Sequence, residues 1–451
     1  MEQRDHGGGS VTLRRASSRR GAPHAREVAS DEAKRPTPGQ LAHVAMLLAE
    51  VLAFTQPADV LLSRYFRTHP GLGARDRHVI AETVFGILRH LRFLEYMSGS
   101  RAPRPLLLAY FHRIQGMSLR GLAPLLNAGE AEQVAAMRAG SSEQAPLAVR
   151  ADLPDWVVER LRTVLDEATI LALGRAMQQP APLDLRVNTL KASREDVRAR
   201  LAAQGLAVTP TPFSPVGLRL VGKPAIQHHP LFTAGVIEVQ DEGSQLTGFL
   251  LAPTRHERVA DFCAGAGGKT LLLGALMHSQ GRLYAFDVSA ARLAKLRPRL
   301  ARSGLSNVYP QLITDERDAR LKRLTGKFDR VLVDAPCSGL GTLRRNPDLK
   351  WRQTPDSVAE LTAKQARILA AASRLLKPAG RLVYATCSIL PEENESIVEN
   401  FLAQHPEFQL IPANQVLARQ HIALDTGAYL ELSPALHATD GFFAAVLERT
   451  P

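Results

Sequence analysis

The sequence predicts an α/β protein with a mostly parallel sheet and helices on both faces, preceded by an all-helical unit and a small α+β segment. Strands alternate with helical stretches from about Arg258 onward, which is the pattern of a parallel sheet. From Leu41 to about Leu125 the apolar residues recur at helical spacing. Between these regions, one predicted strand and one predicted helix indicate mixed structure.

The composition favours a polyanionic partner. The chain has 451 residues, with 56 Lys and Arg against 44 Asp and Glu and a formal net charge of +12. Its beginning lacks the apolar core of a signal peptide, and no uncharged apolar run reaches the roughly 18–20 residues of a membrane span. We therefore expect a cytoplasmic monomer that does not contact a membrane.

Residues 1–38 are rich in Gly, Ser, Pro and Arg, which predicts a disordered basic arm. Residues 39–145 form the predicted helical domain, where Leu41, Val44 and Leu48 share one helix face. Its arginines leave two alternatives open, a solvated surface or a face that contacts nucleic acid. These arginines are Arg64, Arg67, Arg75, Arg77, Arg89 and Arg92.

A polar stretch at 140–144 precedes the predicted α+β segment, residues 146–250. In this segment 185–188 predicts a strand and 193–204 a helix, with Ser193 as its N-cap. The α/β domain spans residues 251–451. Its predicted strands are 258–262, 283–286, 328–333 and 381–385, and its predicted helices include 289–302 and 357–376.

A glycine-rich turn follows the first of these strands, where Cys263-Ala264-Gly265-Ala266-Gly267-Gly268-Lys269 leads into an apolar helix. Glycines at such a turn let the backbone approach a ligand at the carboxyl end of the sheet. A P-loop would need glycine in place of Cys263, and the dinucleotide motif would need it in place of Thr270. Both phosphate-binding patterns therefore fail by one residue.

Carboxylates follow the next strands, at Asp287, Asp315 and Asp334. Asp287 is placed to accept hydrogen bonds from both hydroxyls of a ribose. Acidic strand ends suit a nucleoside with a positive sulfonium and an amino group, which indicates S-adenosylmethionine as the cofactor. For Asp315 alone, a helix N-cap is an equally good interpretation.

Two of the three cysteines follow neighbouring predicted strands, in Pro336-Cys337-Ser338 and Thr386-Cys387-Ser388. With Cys263 the third, and without a CxxC or Cys/His pattern, we expect neither a disulfide framework nor a metal site. A buried core thiol is the usual alternative. However, a core thiol would lie within a strand, and these two lie in polar turns, which favours a chemical role.

Two thiols and the Asp334 carboxyl group suit methylation of carbon 5 of cytosine. That carbon becomes nucleophilic only after a thiolate adds to carbon 6 of the ring. A proton must later leave carbon 5 so that the thiol is expelled. Asp334 is placed to stabilise the charge that develops at ring nitrogen 3. Methylation of an amine or oxygen would need none of these groups.

With these motifs, the sequence resembles the Nol/Nop/Sun family of RNA cytosine-5 methyltransferases over roughly residues 41–449, and within it the bacterial Sun (RsmB-like) ribosomal-RNA enzymes. The resemblance implies a Rossmann-like class I S-adenosylmethionine-dependent domain, with Cys387 as nucleophile and Cys337 in product release. The cofactor contacts it implies are Cys263, Ala264, Gly265, Ala266, Gly267, Gly268, Lys269, Asp287, Asp315 and Asp334.

The helical domain resembles the NusB-like RNA-binding domain of the Sun type, most clearly at Leu72-Gly73-Ala74-Arg75-Asp76-Arg77. This implies small-subunit ribosomal RNA as the substrate, with the α+β segment as a second RNA-binding part. The family usually has Ala-Pro where this chain has Gly265-Ala266, and we expect cofactor binding to persist.

Three alternatives stay open at this point: a catalytically silent ribosome-assembly factor that binds RNA, a methyltransferase of tRNA or another RNA, and a DNA cytosine-5 methyltransferase. The Thr-Cys-Ser motif argues against the last. We also expect Arg344, Arg345 and Lys350, which lie close to Cys337 in sequence, to contact RNA phosphates.

Overall fold

A computed structural model describes residues 36–139 and 144–451. The predicted basic arm lies almost entirely outside the described residues, and so does most of the polar stretch at 140–144. Among the residues that are described, none of the helices combines the length and the apolar character that a membrane crossing requires.

The N-terminal unit is all-helical, as predicted, because each helix buries an apolar face in one shared core. The first helix begins with a capping box, in which the Thr37 hydroxyl accepts from the Gln40 N–H and the Gln40 side chain accepts from the Thr37 N–H. The helices are α1 (Pro38–Val51), α2 (Ala58–Thr68), α3 (Ala74–Arg89), α4 (Leu91–Ser98), α5 (Pro103–Ala109), α6 (Leu119–Leu122) and α7 (Glu130–Ala139).

The middle segment is a four-stranded antiparallel sheet with helices, in the strand order β2-β3-β1-β4. Ser193 caps α11 as predicted, because its hydroxyl accepts a hydrogen bond from the Asp196 N–H. The elements are α8 (Leu147–Ala151), α9 (Asp155–Leu161), α10 (Glu167–Met177), β1 (Leu183–Val187), α11 (Arg194–Ala202), β2 (Val208–Pro210), β3 (Gly217–Leu220), α12 (Pro230–Thr233) and β4 (Ile237–Val239).

The C-terminal part is built on a larger sheet with the order β10-β12-β9-β8-β5-β6-β7, to which β11 adds beside β12. Its elements are α13 (Glu242–Leu251), β5 (Arg258–Asp261), α14 (Gly268–Leu276), β6 (Arg282–Asp287), α15 (Ala290–Ser303), β7 (Val308–Leu312), α16 (Ala319–Lys322), β8 (Phe328–Asp334), α17 (Leu349–Arg352), α18 (Pro355–Ser373), β9 (Leu376–Thr386), α19 (Glu395–Gln404), β10 (Phe408–Ile411), α20 (Ala413–Arg419), β11 (Leu430–Leu432), α21 (Pro434–His437) and β12 (Phe442–Arg449).

The five strands from β9 to β7 are parallel, whereas β12 and β10 are antiparallel to their neighbours. Apolar clusters cover both faces of the sheet, which confirms the predicted α/β architecture. The chain leaves β5 toward β6 on one side and later returns to β8 on the other. This reversal between β5 and β8 is a topological switch point, where ligands of open α/β sheets bind.

The segment between the two catalytic-candidate cysteines joins the three parts of the molecule. Arg344 and Arg345 both bind the buried Asp440, at 3.1 and 2.5 Å, and Arg345 also binds Asp241 at 2.9 Å. Lys350, whose side chain is 4 % exposed, lies 3.4 Å from the Asp152 carboxylate. The prediction that Arg344 and Lys350 contact RNA phosphates is therefore wrong, because both side chains are buried against internal carboxylates. For Arg345, whose side chain is 31 % exposed, the contact stays a prediction.

The helical domain meets this segment directly. The Arg89 guanidinium donates to the Arg344 carbonyl, and the Trp351 indole donates to the Leu88 carbonyl. Lys350 donates to the carbonyls of Arg89 and Asp152 at 2.9 and 2.5 Å. For Arg89, neither of the alternatives offered by the sequence holds, because the residue lies at an internal junction.

We expect Lys350→Met to lower the free energy of unfolding by about 3–5 kcal/mol, because it leaves the Asp152 carboxylate buried without the cation that pairs with it. Urea or thermal unfolding measures this change. The matched control is Lys223→Met, at an exposed lysine, which should change stability by less than about 0.5 kcal/mol. Equal effects of the two substitutions would contradict a stabilising role for the Lys350 junction.

Candidate active site

The carboxyl ends of β5, β6, β8 and β9 open onto one cavity of about 390 Å³. All but two of the residues predicted for the site line it. They are Cys263, Ala264, Gly265, Ala266, Gly268, Lys269, Asp287, Asp334, Cys337 and Cys387. Residues from four strand ends therefore meet in one place, although they are spread over more than a hundred positions of sequence.

Gly267 and Asp315 are the two exceptions. Gly267 has a φ of 85°, and a Cβ there would lie 2.1 Å from Leu296 Cδ1, so the glycine allows close packing against α15. The Asp315 carboxylate accepts a hydrogen bond from the Arg317 N–H at 2.7 Å, and Glu316 lines the cavity instead. Asp315 thus bonds within a turn and is not a helix N-cap, because Asp318 caps the helix that follows, and its role as a cofactor contact stays a prediction.

Hydrogen bonds to β6 fix the glycine-rich turn. The Gly265 N–H donates to Asp287 Oδ2 at 2.8 Å, and the Ala264 N–H donates to the Phe286 carbonyl at 2.8 Å. Asp287 Oδ1 accepts from the Ser289 N–H at 2.7 Å. The turn is therefore held in place without the proline that the family usually has there.

Lys269, on the first turn of α14, forms an ion pair with Asp334 across the cavity wall. Its Nζ lies 2.8 Å from Asp334 Oδ2 and 5.3 Å from the centre of the Phe442 ring. Burial lowers the pKa of Lys269, but Asp334 and the nearby Cys387 outweigh it and raise the pKa above its usual value. In the resting site Lys269 is therefore protonated beside Asp334.

Cys337 and Cys387 form a thiol pair, with their Sγ atoms 3.4 Å apart. The Cys387 N–H points to Cys337 Sγ, also at 3.4 Å. The hydrogen bond with Cys387, together with burial, raises the pKa of Cys337 well above its usual range. Burial likewise raises the pKa of Cys263 well above its usual range. Both shifts disfavour the thiolate form of these two residues.

The sequence did not reveal several groups at the site. Burial raises the pKa of Asp261, at the end of β5, to about 7, although Thr270 donates a hydrogen bond to it at 2.7 Å. Lys364 and Ile368 line the cavity from α18, and Arg292 lines it from α15. No local motif marks Lys364, Ile368 and Arg292, because their side chains reach the cavity only through the packing of the helices.

A parallel sheet with a glycine-rich turn at its switch point and a carboxylate after the next strand defines a Rossmann-like S-adenosylmethionine-dependent methyltransferase. The cavity suits this cofactor. It is within the usual size range of ligand sites, the Gly265 backbone approaches its interior, and Asp287 can accept from ribose hydroxyls. Asp334 and Glu316 supply carboxylates for the cationic end.

Comparison with known proteins agrees with this class. The family profile described as 16S rRNA methyltransferase RsmB/F matches residues 248–448, and a ferredoxin-like domain of RsmF/B-like methyltransferases matches residues 153–227. The "Probable ribosomal RNA small subunit methyltransferase B" of Synechocystis sp. is 33 % identical over 438 residues, which cover 90 % of this chain and 98 % of the relative.

Solved structures extend the similarity. The crystal structure of PH0851 has a TM-score of 0.73 at 25 % identity and covers 92 % of this chain and 99 % of its own. A methyltransferase homologue from Pyrococcus horikoshii has a TM-score of 0.59 at 30 % identity and covers 69 % of this chain and 100 % of its own. The chain belongs to the RsmB/F family of ribosomal RNA small subunit methyltransferases, which is of the Nol/Nop/Sun type.

Proposed function

We propose that the protein methylates carbon 5 of a cytosine in small-subunit ribosomal RNA through a covalent bond between Cys387 and the base. The observation that carries this proposal is the pair of thiols 3.4 Å apart, in one cavity with the Asp334–Lys269 ion pair. Methylation of an exocyclic amine or a ribose oxygen requires no thiol, because those atoms attack the methyl group directly.

Cys387 is the better nucleophile of the two. Burial and the hydrogen bond with Cys387 raise the pKa of Cys337, which disfavours a thiolate there, and the resemblance to the Nol/Nop/Sun family assigns the nucleophile to Cys387. The S–H group of Cys337 can donate to the Cys387 sulfur across the 3.4 Å gap.

In the first step the Cys387 thiolate adds to carbon 6, and the electrons of the double bond move toward ring nitrogen 3. Ring nitrogen 3 takes a proton through Asp334 from the Lys269 ammonium group, which lies 2.8 Å from Asp334 Oδ2 and is left as a neutral amine until the proton returns. S-adenosylmethionine, when bound, supplies the electrophilic methyl group for carbon 5. The protein has then to orient the ring so that both cysteines reach it.

Release reverses the addition. Ring nitrogen 3 returns its proton to the Asp334–Lys269 pair, and the proton on carbon 5 leaves to a base. The double bond between carbons 5 and 6 then forms again, and the carbon–sulfur bond breaks to return the Cys387 thiolate. Cys337 lies beside that sulfur and assists this step. Cys387 therefore forms the covalent intermediate, and Cys337 assists its breakdown.

Small-subunit ribosomal RNA is the substrate class that the names of the relatives support. Bisulfite sequencing of ribosomal RNA from cells with and without the protein tests it. We expect one cytosine of the small-subunit RNA to lose its protection from conversion when the protein is absent. Loss of protection in tRNA alone would contradict the proposed substrate, and an unchanged pattern would contradict the activity.

We expect a cytosine in a hairpin loop to be methylated about a hundredfold faster than the same cytosine paired in a stem. The thiolate must approach carbon 6 from above the ring, so the base has to leave its stack, at a cost of about 3 kcal/mol from a duplex. Single-turnover rates on two short RNAs of equal composition measure this ratio. Equal rates would mean that the protein opens the duplex itself.

A further inference from the structure

One buried carboxylate contacts both cysteine loops, which we define as 336–340 and 386–390. It belongs to Glu393, which is 0 % exposed and lies in a short 3-10 turn just before α19. Glu393 Oε1 accepts from the Ser338 N–H at 2.8 Å, and Oε2 accepts from the hydroxyls of Ser338 and Ser388, both at 2.5 Å. No motif in the sequence marks this residue as functional.

The two serines have matching roles. Each directly follows one of the cysteines, and each hydroxyl accepts a hydrogen bond from the backbone N–H two residues further on, that of Leu340 or Leu390. Each hydroxyl is therefore left to donate its proton to Glu393 Oε2. Glu393 is therefore the acceptor in each of its contacts with the two loops.

A third element joins the same carboxylate. Gln365, buried on α18, donates from Nε2 to Glu393 Oε1 at 3.0 Å and to the Pro336 carbonyl at 3.0 Å. The loops also touch directly, because the hydroxyl oxygens of Ser338 and Ser388 lie 3.2 Å apart. Glu393 is thus the side chain that bonds to both loops and to the helix beside them.

We propose that Glu393 is a positioning residue that sets the distance between Cys337 and Cys387 by holding their two loops together. The inference rests on the proposed function, in which Cys337 assists the release of the base from Cys387. Such a cycle needs the two sulfurs to stay within a few ångströms of each other, although they belong to two separate loops.

A purely stabilising role does not explain this arrangement well. A buried carboxylate costs solvation energy, which the hydrogen bonds that it accepts offset, so it gains little net stability for the site. What the carboxylate adds is geometry, since two oxygens receive donors from two loops at fixed angles. Glu393 therefore contributes mainly to the relative position of the loops.

The test compares Glu393→Gln with Glu392→Gln. The control changes the neighbouring residue in the same chemical way, and Glu392 is partly exposed and paired with Arg160 at 3.5 Å. The first readout uses phenylarsine oxide, which binds two nearby thiols together with release of water and needs neither RNA nor cofactor. We expect Glu393→Gln to slow this capture at least about tenfold and the control to leave it unchanged.

The second readout is methylation of RNA under saturating conditions. Glu393→Gln should lower kcat at least about tenfold and leave the KM for RNA within about twofold, because the carboxylate faces the loops. Arsenical capture and kcat both within about twofold of the Glu392→Gln control would overturn the proposal. A melting temperature measured for each variant shows whether it is folded.

If Glu393→Gln does not fold, Ser338→Ala and Ser388→Ala test the same idea, because each removes one hydroxyl and frees one loop. Both should slow arsenical capture. With RNA, Ser388→Ala should slow formation of the covalent adduct, and Ser338→Ala should slow its release. Unchanged capture in both variants would overturn the positioning role. Slow capture with the two RNA effects exchanged would support that role and contradict instead the proposed assignment of the nucleophile.

Discussion

The Cys337→Ala variant is expected to accumulate a covalent complex with RNA that survives denaturing electrophoresis, whereas Cys387→Ala is expected to form no complex and no product. Cys387 makes the bond to carbon 6, and Cys337 acts only when that bond breaks. Loss of the nucleophile should lower the methylation rate by several orders of magnitude, as removal of a nucleophile does in other covalent enzymes. Gel shifts with radiolabelled RNA measure both outcomes.

Cys263→Ala is the matched control, since Cys263 is the third thiol at the same cavity. Its buried position raises its pKa well above the usual range, so it should trap no adduct. An adduct in Cys387→Ala and none in Cys337→Ala would exchange the roles of the two cysteines. Adducts in neither variant, with both still methylating RNA, would contradict covalent catalysis altogether.

The Asp334→Asn variant is expected to reduce the single-turnover rate of methylation about 100- to 1000-fold, because an amide cannot deliver a proton to ring nitrogen 3. The substitution keeps the size of the side chain, which is 32 % exposed, and a melting temperature shows whether the variant is folded. Rapid-quench measurement of 5-methylcytidine formation gives the rate.

The affinity of the variant for S-adenosylmethionine is measured in parallel by calorimetric titration, because Asp334 is also a predicted cofactor contact. A fall in rate at saturating cofactor separates the chemical role from binding. Glu316→Gln is the control, since it neutralises another carboxylate of the same cavity outside the Lys269 ion pair. A rate for Asp334→Asn within about threefold of that control would contradict its role as proton donor.

Local sequence patterns predicted the parts of the site that local structure determines. Alternating strands and helices predicted the parallel sheet, and Asp287, Asp334 and Thr386 end β6, β8 and β9. Because parallel strands end at one edge of a sheet, this was sufficient to bring both cysteines to the cofactor turn. The domain boundaries, the monomeric state and the cytoplasmic location stay predictions.

Local patterns did not predict the contacts between residues that are distant in sequence. Adjacent arginines such as Arg344 and Arg345 are typical of a phosphate-binding surface. Only the fold shows that Asp440, which lies just before β12, forms ion pairs with both. The difference between Asp315 and Glu316 depends on the geometry of one turn. Glu393 was missed because its four donors come from three separate segments.

The most direct test of covalent cytosine-5 methylation uses RNA that carries 5-fluorocytidine at the target position. After methyl transfer, carbon 5 holds fluorine in place of the proton that must leave, so the carbon–sulfur bond cannot be released. We expect mass spectrometry of the digested complex to find a methylated fluorocytosine joined to the peptide that contains Cys387. A base joined to the Cys337 peptide, or methylated product without any adduct, would contradict the mechanism.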